Sequence, residues 1–274
     1  MEKNNHFLTP DQILDELGIT TPDEIDIEAI AFHCGAIIRY RPLTGCAARI
    51  VGNGDNAIIT VDSGSSNRER QRFSAAHELG HWMYDRGKIS YSCQEAQFVE
   101  KWFKHDPESR ANSYASNLLL SVSLFKPMVS TFRAIDFNTV KSLARAFTTS
   151  LTSTAIRLVE HGPLPAMLVC YSDAGRQWFV RGSYVPDQLW PPEKLEPGAY
   201  AYDLLKGGAE REFKGQVSAE AWFDHPIAER YNIQEHSLRT SYGVVLSLLW
   251  WKNEQMLIDI DDYEERKAYR KWDE

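Results

Sequence analysis

Apolar positions along the chain change texture three times, and those changes predict the elements. Thr9-Pro10-Asp11 opens a short helix through Leu17, and Thr21-Pro22-Asp23-Glu24 opens a second, with Ile25, Ile27, Ile30 and Phe32 on its apolar side. Three β-like runs follow, Ala36 to Tyr40, Ala47 to Val51 and Ala57 to Val61, separated by Gly45 and by the turn residues Gly52-Asn53-Gly54-Asp55. They predict a small antiparallel sheet. From Arg68 to Asp85 there is no proline, and Phe73, Ala76, Leu79 and Trp82 recur at helical spacing up to Gly87.

Further on, helices are predicted over residues 94–104, from Asp106-Pro107 to about Leu120, and over Asn138–Phe147 and Leu151–His161, the last two joined at Thr148-Thr149-Ser150. Strands are predicted from Pro163 onward: Ala166–Tyr171, Gln177–Val180, Tyr200–Leu205, Glu212–Ala219 and Ser241–Trp251. Prolines and glycines separate them. The aromatic side chains here, such as Tyr171, Trp178, Phe179, Trp222, Trp250 and Trp251, read as sheet core. A boundary near residue 162 follows, giving domains over 1–125, 126–162 and 163–274. The stretch from Asp259 to Glu274 carries both signs of charge and reads as a solvated terminal helix.

Composition narrows the setting. With 274 residues and 43% hydrophobic content the chain can bury a real core. Cys34, Cys46, Cys93 and Cys170 form no C-x-x-C pair, which fits a reducing compartment and argues against a cysteine-ligated zinc. The first six residues lack the pattern of a signal peptide, and the longest near-apolar run, Tyr242–Trp251, falls far short of a membrane span. A cytoplasmic protein without a membrane partner is the expectation. Thirty basic against 38 acidic residues give a net charge of -8, which disfavours nucleic acid as a direct ligand.

The chemistry concentrates in His77-Glu78-Leu79-Gly80-His81. Residues four apart on a helix share a face, so His77 and His81 can offer two imidazole nitrogens to one ion at about 2.0–2.1 Å. A carboxylate beside them, Glu78, can take a proton from metal-activated water and return it to the leaving amine. The pattern arises by accident in roughly one or two of every hundred chains this long, so its helical setting matters. The competing reading is two core or solvated histidines hydrogen-bonded to Glu78. A third ligand is needed, and Glu95, Glu100 and Glu108 compete. Glu108 is favoured because it shares a helical face with Ala111, Ala115 and Leu118, whose small members allow close packing, whereas its bland alternative is a first-turn carboxylate placed by the helix dipole.

Arg72-Phe73-Ser74-Ala75-Ala76-His77-Glu78-Leu79-Gly80-His81, followed by Glu108-x-x-Ala111-Asn112-x-Tyr114-Ala115-x-x-Leu118-Leu119, resembles the ImmA/IrrE family of metallo-endopeptidases. The likeness extends over roughly residues 22–160. It implies an α+β chain with a zincin-like, gluzincin-type metalloprotease domain and helical subdomain, followed by a C-terminal mixed α/β domain. It also implies zinc held by His77, His81 and Glu108, with Glu78 as catalytic base, although this donor set admits manganese or iron. The implied substrate is a protein, typically a helix-turn-helix repressor whose cleavage starts a stress response. Some relatives carry a GAF-like sensory module after the protease part. Three positions depart from the family: Leu118-Leu119-Leu120-Ser121 replaces the usual Leu-Leu-Met-Pro at its last two residues, and Asp85 stands where many relatives carry histidine.

Other features stay open. Residues 140–158 have helix-turn-helix-like spacing but few basic residues (Lys141, Arg145, Arg157), so a packing or docking role is favoured over a DNA-binding transcription factor. A metal-binding regulator that cuts nothing is the other alternative. Tyr91, His105 and Tyr114 are equal candidates for stabilising an oxyanion, and Cys46 or Cys93 could place a thiolate on the metal.

Overall fold

A computed structural model describes residues 7–86, 91–92, 106–132, 134–207 and 209–270. The expected helix over 94–104, together with Cys93, Glu95, Glu100 and His105, lies outside the described residues. The chain divides into two compact units, one of residues 1–128 and 142–154, the other of 129–141 and 155–274. Among the described residues no helix is long and apolar enough to cross a membrane.

In the first unit, α1 (Pro10–Glu16) starts at the Thr9 cap, where Gln12 completes a reciprocal capping box. The helix expected from Thr21 is divided. Pro22–Glu24 form a 3-10 turn, and α2 (Ile27–His33) begins again at Asp26, whose carboxylate accepts from the backbone N–H groups of Glu28 and Ala29 at 2.9 and 3.0 Å. A local cap therefore outcompetes continuation of the helix. Ile25, Ile27 and Ile30 are buried, but Phe32 is 74% exposed and belongs to no apolar side.

Strands β1 (Ala36–Arg41), β2 (Ala48–Asn53), β3 (Asn56–Asp62) and β4 (Tyr91–Ser92) form a sheet of order β1-β3-β2-β4. The expected antiparallel arrangement is corrected to a mixed one. The Gly54-Asp55 turn makes β2 and β3 an antiparallel hairpin, and β3 then inserts beside β1 in parallel. Its alternate residues Ala57, Ile59 and Val61 point to the core, which is why β3 occupies the centre.

Helix α3 (Arg68–Asp85), capped by Asn67, packs on β2 and β3. Trp82 lies against Gly52, where any side chain would strike the indole, and its ring N–H donates to the Cys34 carbonyl at 2.8 Å. Helix α4 (Pro107–Leu119) closes the other side of α3, so residues 74–83 are buried all round. Helix α5 (Val122–Val129), absent from the predicted elements, buries Phe125 against Phe147. Helices α6 (Phe137–Phe147) and α7 (Leu151–His161) form the expected pair, turning at Thr148 with φ of 52°.

The second unit is built on a five-stranded antiparallel sheet of order β6-β5-β9-β8-β7: β5 (Ala166–Ser172), β6 (Gly175–Arg181), β7 (Glu212–Ser218), β8 (Asn232–Arg239) and β9 (Val245–Trp250). Its core holds Tyr171, Trp222, Val245, Leu249 and Trp251. Strand β8 was not foreseen, and β9 starts at Val245 rather than Ser241. Residues 200–205, expected as a strand, form helix α8 (Tyr200–Lys206). The buried Glu235 carboxylate accepts from the backbone N–H groups of Tyr200 and Ala201 at 3.0 and 2.7 Å, satisfying the first helical turn from β8. Trp222 Nε1 and Ser237 Oγ donate to the same carboxylate. Helix α9 (Gln255–Arg270) ends the described chain.

Candidate metal centre

The site is assembled by the close approach of α3 and α4. Gly80 makes this possible: a Cβ there would stand 3.0 Å from both Cα and the carbonyl oxygen of Ala111, and 3.1 Å from Cβ of Tyr114. One turn separates His77 from His81, both are buried, and their Nε2 atoms lie 3.1 Å apart. Glu108, in the first turn of α4, reaches both: its carboxylate oxygens lie 3.2 Å from His77 Nε2 and 3.4 Å from His81 Nε2. The two histidines hold the Glu108 carboxyl well below its usual range by hydrogen bonding, against an opposing contribution from burial. Glu108 itself stays 47% exposed, so the cluster has buried nitrogens and an open acidic side.

His77, His81 and Glu108 form a group able to hold a metal ion, with ligand atoms all within 4.8 Å of one another. A tetrahedral ion with bonds of about 2.0–2.1 Å keeps its ligand atoms about 3.3 Å apart. The His77–His81 separation of 3.1 Å is close to that spacing, and Glu108 brings one carboxylate oxygen to 3.2 Å from His77 Nε2 and the other to 3.4 Å from His81 Nε2. Glu78, between the histidines in sequence, is 1% exposed.

A fourth residue supports the set. Asn112, one helical turn beyond Glu108, places Oδ1 2.9 Å from His77 Nδ1. An amide oxygen only accepts, so Nδ1 carries a proton, which leaves Nε2 as the nitrogen available to a metal ion. The motif contained Asn112, yet its partner was not legible, because nothing in a linear pattern pairs side chains across two helices.

The remaining candidates are distributed differently. Asp85, at the family's histidine position, pairs with Arg110 at 3.6 Å, and Arg110 lies over the Tyr84 ring, tying the last turn of α3 to the first of α4. Tyr114 turns its hydroxyl to the Leu8 carbonyl at 3.3 Å, with its ring against Phe7 and Tyr84. Cys46 is half-buried. Of the basic residues over 140–158, Lys141 pairs with Glu212 and Arg157 is buried near Glu160, which leaves Arg145 exposed.

Residues 35–159 match the family model of the IrrE N-terminal-like domain, peptidase M78. Residues 35–159 therefore carry an IrrE-like domain. The IrrE-like domain contains the whole donor cluster and both helices that carry it. A solved structure described as a Mycobacterium tuberculosis transcriptional regulator is similar with a TM-score of 0.52 at 12% identity, covering 88% of this chain and 74% of that one. At that identity the likeness shows the fold alone. No curated protein matches.

Proposed function

We propose that the IrrE-like domain is a zinc-dependent endopeptidase acting on a protein, with a zincin-like fold of the gluzincin type. The observation that carries this reading is the convergence of His77 Nε2, His81 Nε2 and the Glu108 carboxylate, whose two oxygens each face one histidine within 3.4 Å. His77, His81 and Glu108 are the proposed ligands. Three protein donors leave a position for water or substrate, which is the arrangement of catalytic rather than structural zinc. Zinc held there supplies a Lewis acid that acidifies water and polarises the scissile carbonyl. Asn112 keeps His77 in the tautomer that ligates. Glu78 takes the proton of the attacking water and passes it to the departing amine, so no covalent acyl-enzyme is formed.

The substrate we propose is a helix-turn-helix repressor. This assignment rests on the family and on the protein substrate a peptidase requires. The DNA-binding alternative is weakened by Lys141 and Arg157, whose charges are directed to Glu212 and Glu160. The test pairs metal analysis with incubation against the repressor encoded nearest the gene. Wild type should contain one divalent ion and cleave, whereas Glu78→Gln should keep the ion and lose at least about 100-fold in turnover. Cleavage by Glu78→Gln at the wild-type rate would overturn the mechanism.

A further inference from the structure

The inner face of the β1-β3-β2 sheet is covered by α3, but the outer face carries an ordered set of exposed side chains. Ile37, Ile58 and Val51 are direct neighbours across β1, β3 and β2, and they are 48%, 39% and 55% exposed. Two residues along, Arg39 and Arg49 flank Thr60 in the next row, and Arg41 lies in the row beyond. Among the described residues no carboxylate ion-pairs with any of these three arginines. Asp62, the register partner of Arg41, is turned to the backbone N–H groups of Leu43 and Gly64. Three adjacent β-branched side chains in water, bordered by unpaired cations on a chain of charge -8, form a patch that solubility does not explain.

We propose that this face docks an acidic amphipathic helix of a protein partner. The proposal goes beyond the peptidase reading and does not depend on catalysis. Strands lie about 4.8 Å apart, so the aliphatic row spans about 10 Å, the width of one helix. Strand β3, at the centre of the patch, is paired on both sides, so a partner lying over it meets side chains rather than backbone. An aliphatic stripe on the partner would cover Ile37, Ile58 and Val51, and carboxylates beside that stripe would meet Arg39 and Arg49. Duplex DNA would use the arginines but leave the aliphatic row without a function, because phosphate contacts are polar.

The probe is a fluorescent helical peptide of about five turns, with a leucine stripe flanked by glutamates. Its control replaces each glutamate by lysine, and binding to the full chain is read by anisotropy. The acidic peptide should bind, weaken with salt, and lose about tenfold or more in affinity on R39E/R49E and on I58D, while the lysine peptide should not bind. R39E/R49E lies wholly on the surface and should unfold at the wild-type temperature, which keeps the test valid if I58D disturbs the central strand. Equal binding by wild type and R39E/R49E would overturn the proposal. So would duplex DNA that binds in place of the peptide and is lost on R39E/R49E, or self-association of the wild type that I58D abolishes.

Discussion

Asn112 Oδ1 sits 2.9 Å from His77 Nδ1, linking α4 to the first histidine of α3. This contact selects the imidazole tautomer, so its removal should cost metal affinity without removing a ligand. Asn112→Leu should weaken divalent metal binding about 10–100-fold, and Asn112→Asp, which keeps an acceptor, should bind at least as well as wild type. Competition with a metal-sensitive dye measures this independently of any turnover. Wild-type affinity in Asn112→Leu would show that the tautomer is fixed by something else.

Gly80 sets how near α4 can come. Gly80→Ala places two opposed effects against each other, a helix-propensity gain of about 1 kcal/mol and an overpacking cost of about 1–3 kcal/mol. Gly80→Val removes the ambiguity, because its branched side chain meets the Ala111 backbone, which cannot step aside unless α4 moves. We expect Gly80→Val to lower stability by about 1–3 kcal/mol and to weaken metal binding by displacing Glu108 and Asn112. Urea unfolding of the metal-free chain checks the first, and an unchanged midpoint would show that the helices tolerate separation.

The elements that carry the donor cluster were legible for physical reasons. Helix α3 announces itself by an uninterrupted periodic stretch, and α4 by Asp106-Pro107, whose proline suits a first turn. The alignment of Glu108 with Ala111 and Ala115 anticipated the close contact, because small residues on one face have no other evident use. What stayed hidden depends on partners distant in sequence. Tyr200–Leu205 alternates like a strand, but Glu235, 35 residues later, holds the first turn of a helix. The order β1-β3-β2 likewise depends on which strand fills the middle of the core, and runs of similar apolar content do not rank themselves. Helix α5 is short and holds Pro127 inside it, a residue that breaks the helical hydrogen-bond ladder and so gives no helical signal.

A pH dependence should arise in the second unit, where buried His236 bridges β8 to the start of α6. Its Nδ1 accepts from the backbone N–H of Phe137 at 3.1 Å, and its Nε2 donates to Glu212 at 2.7 Å, so the ring is neutral and both nitrogens are used. Around it, Lys141 also pairs with Glu212, and Lys214 pairs with Asp136, the cap of α6. Burial lowers the His236 pKa below its ordinary value of 6.5, with Glu212 opposing in part. The unfolded chain therefore takes up this proton first as pH falls. Stability from the neutral ring is complete above 6.5 and is lost as pH falls through the lower folded-state value. Glu212 and Asp136 are themselves held below the ordinary carboxylate range, because their lysine and histidine partners outweigh burial, so they titrate at lower pH. Replacing His236 by Gln keeps an acceptor and a donor but cannot titrate. Urea midpoints measured from about pH 7.5 to about 5.5 should fall more steeply for wild type than for His236→Gln. A constant offset between the two proteins across that range would remove His236 as the source.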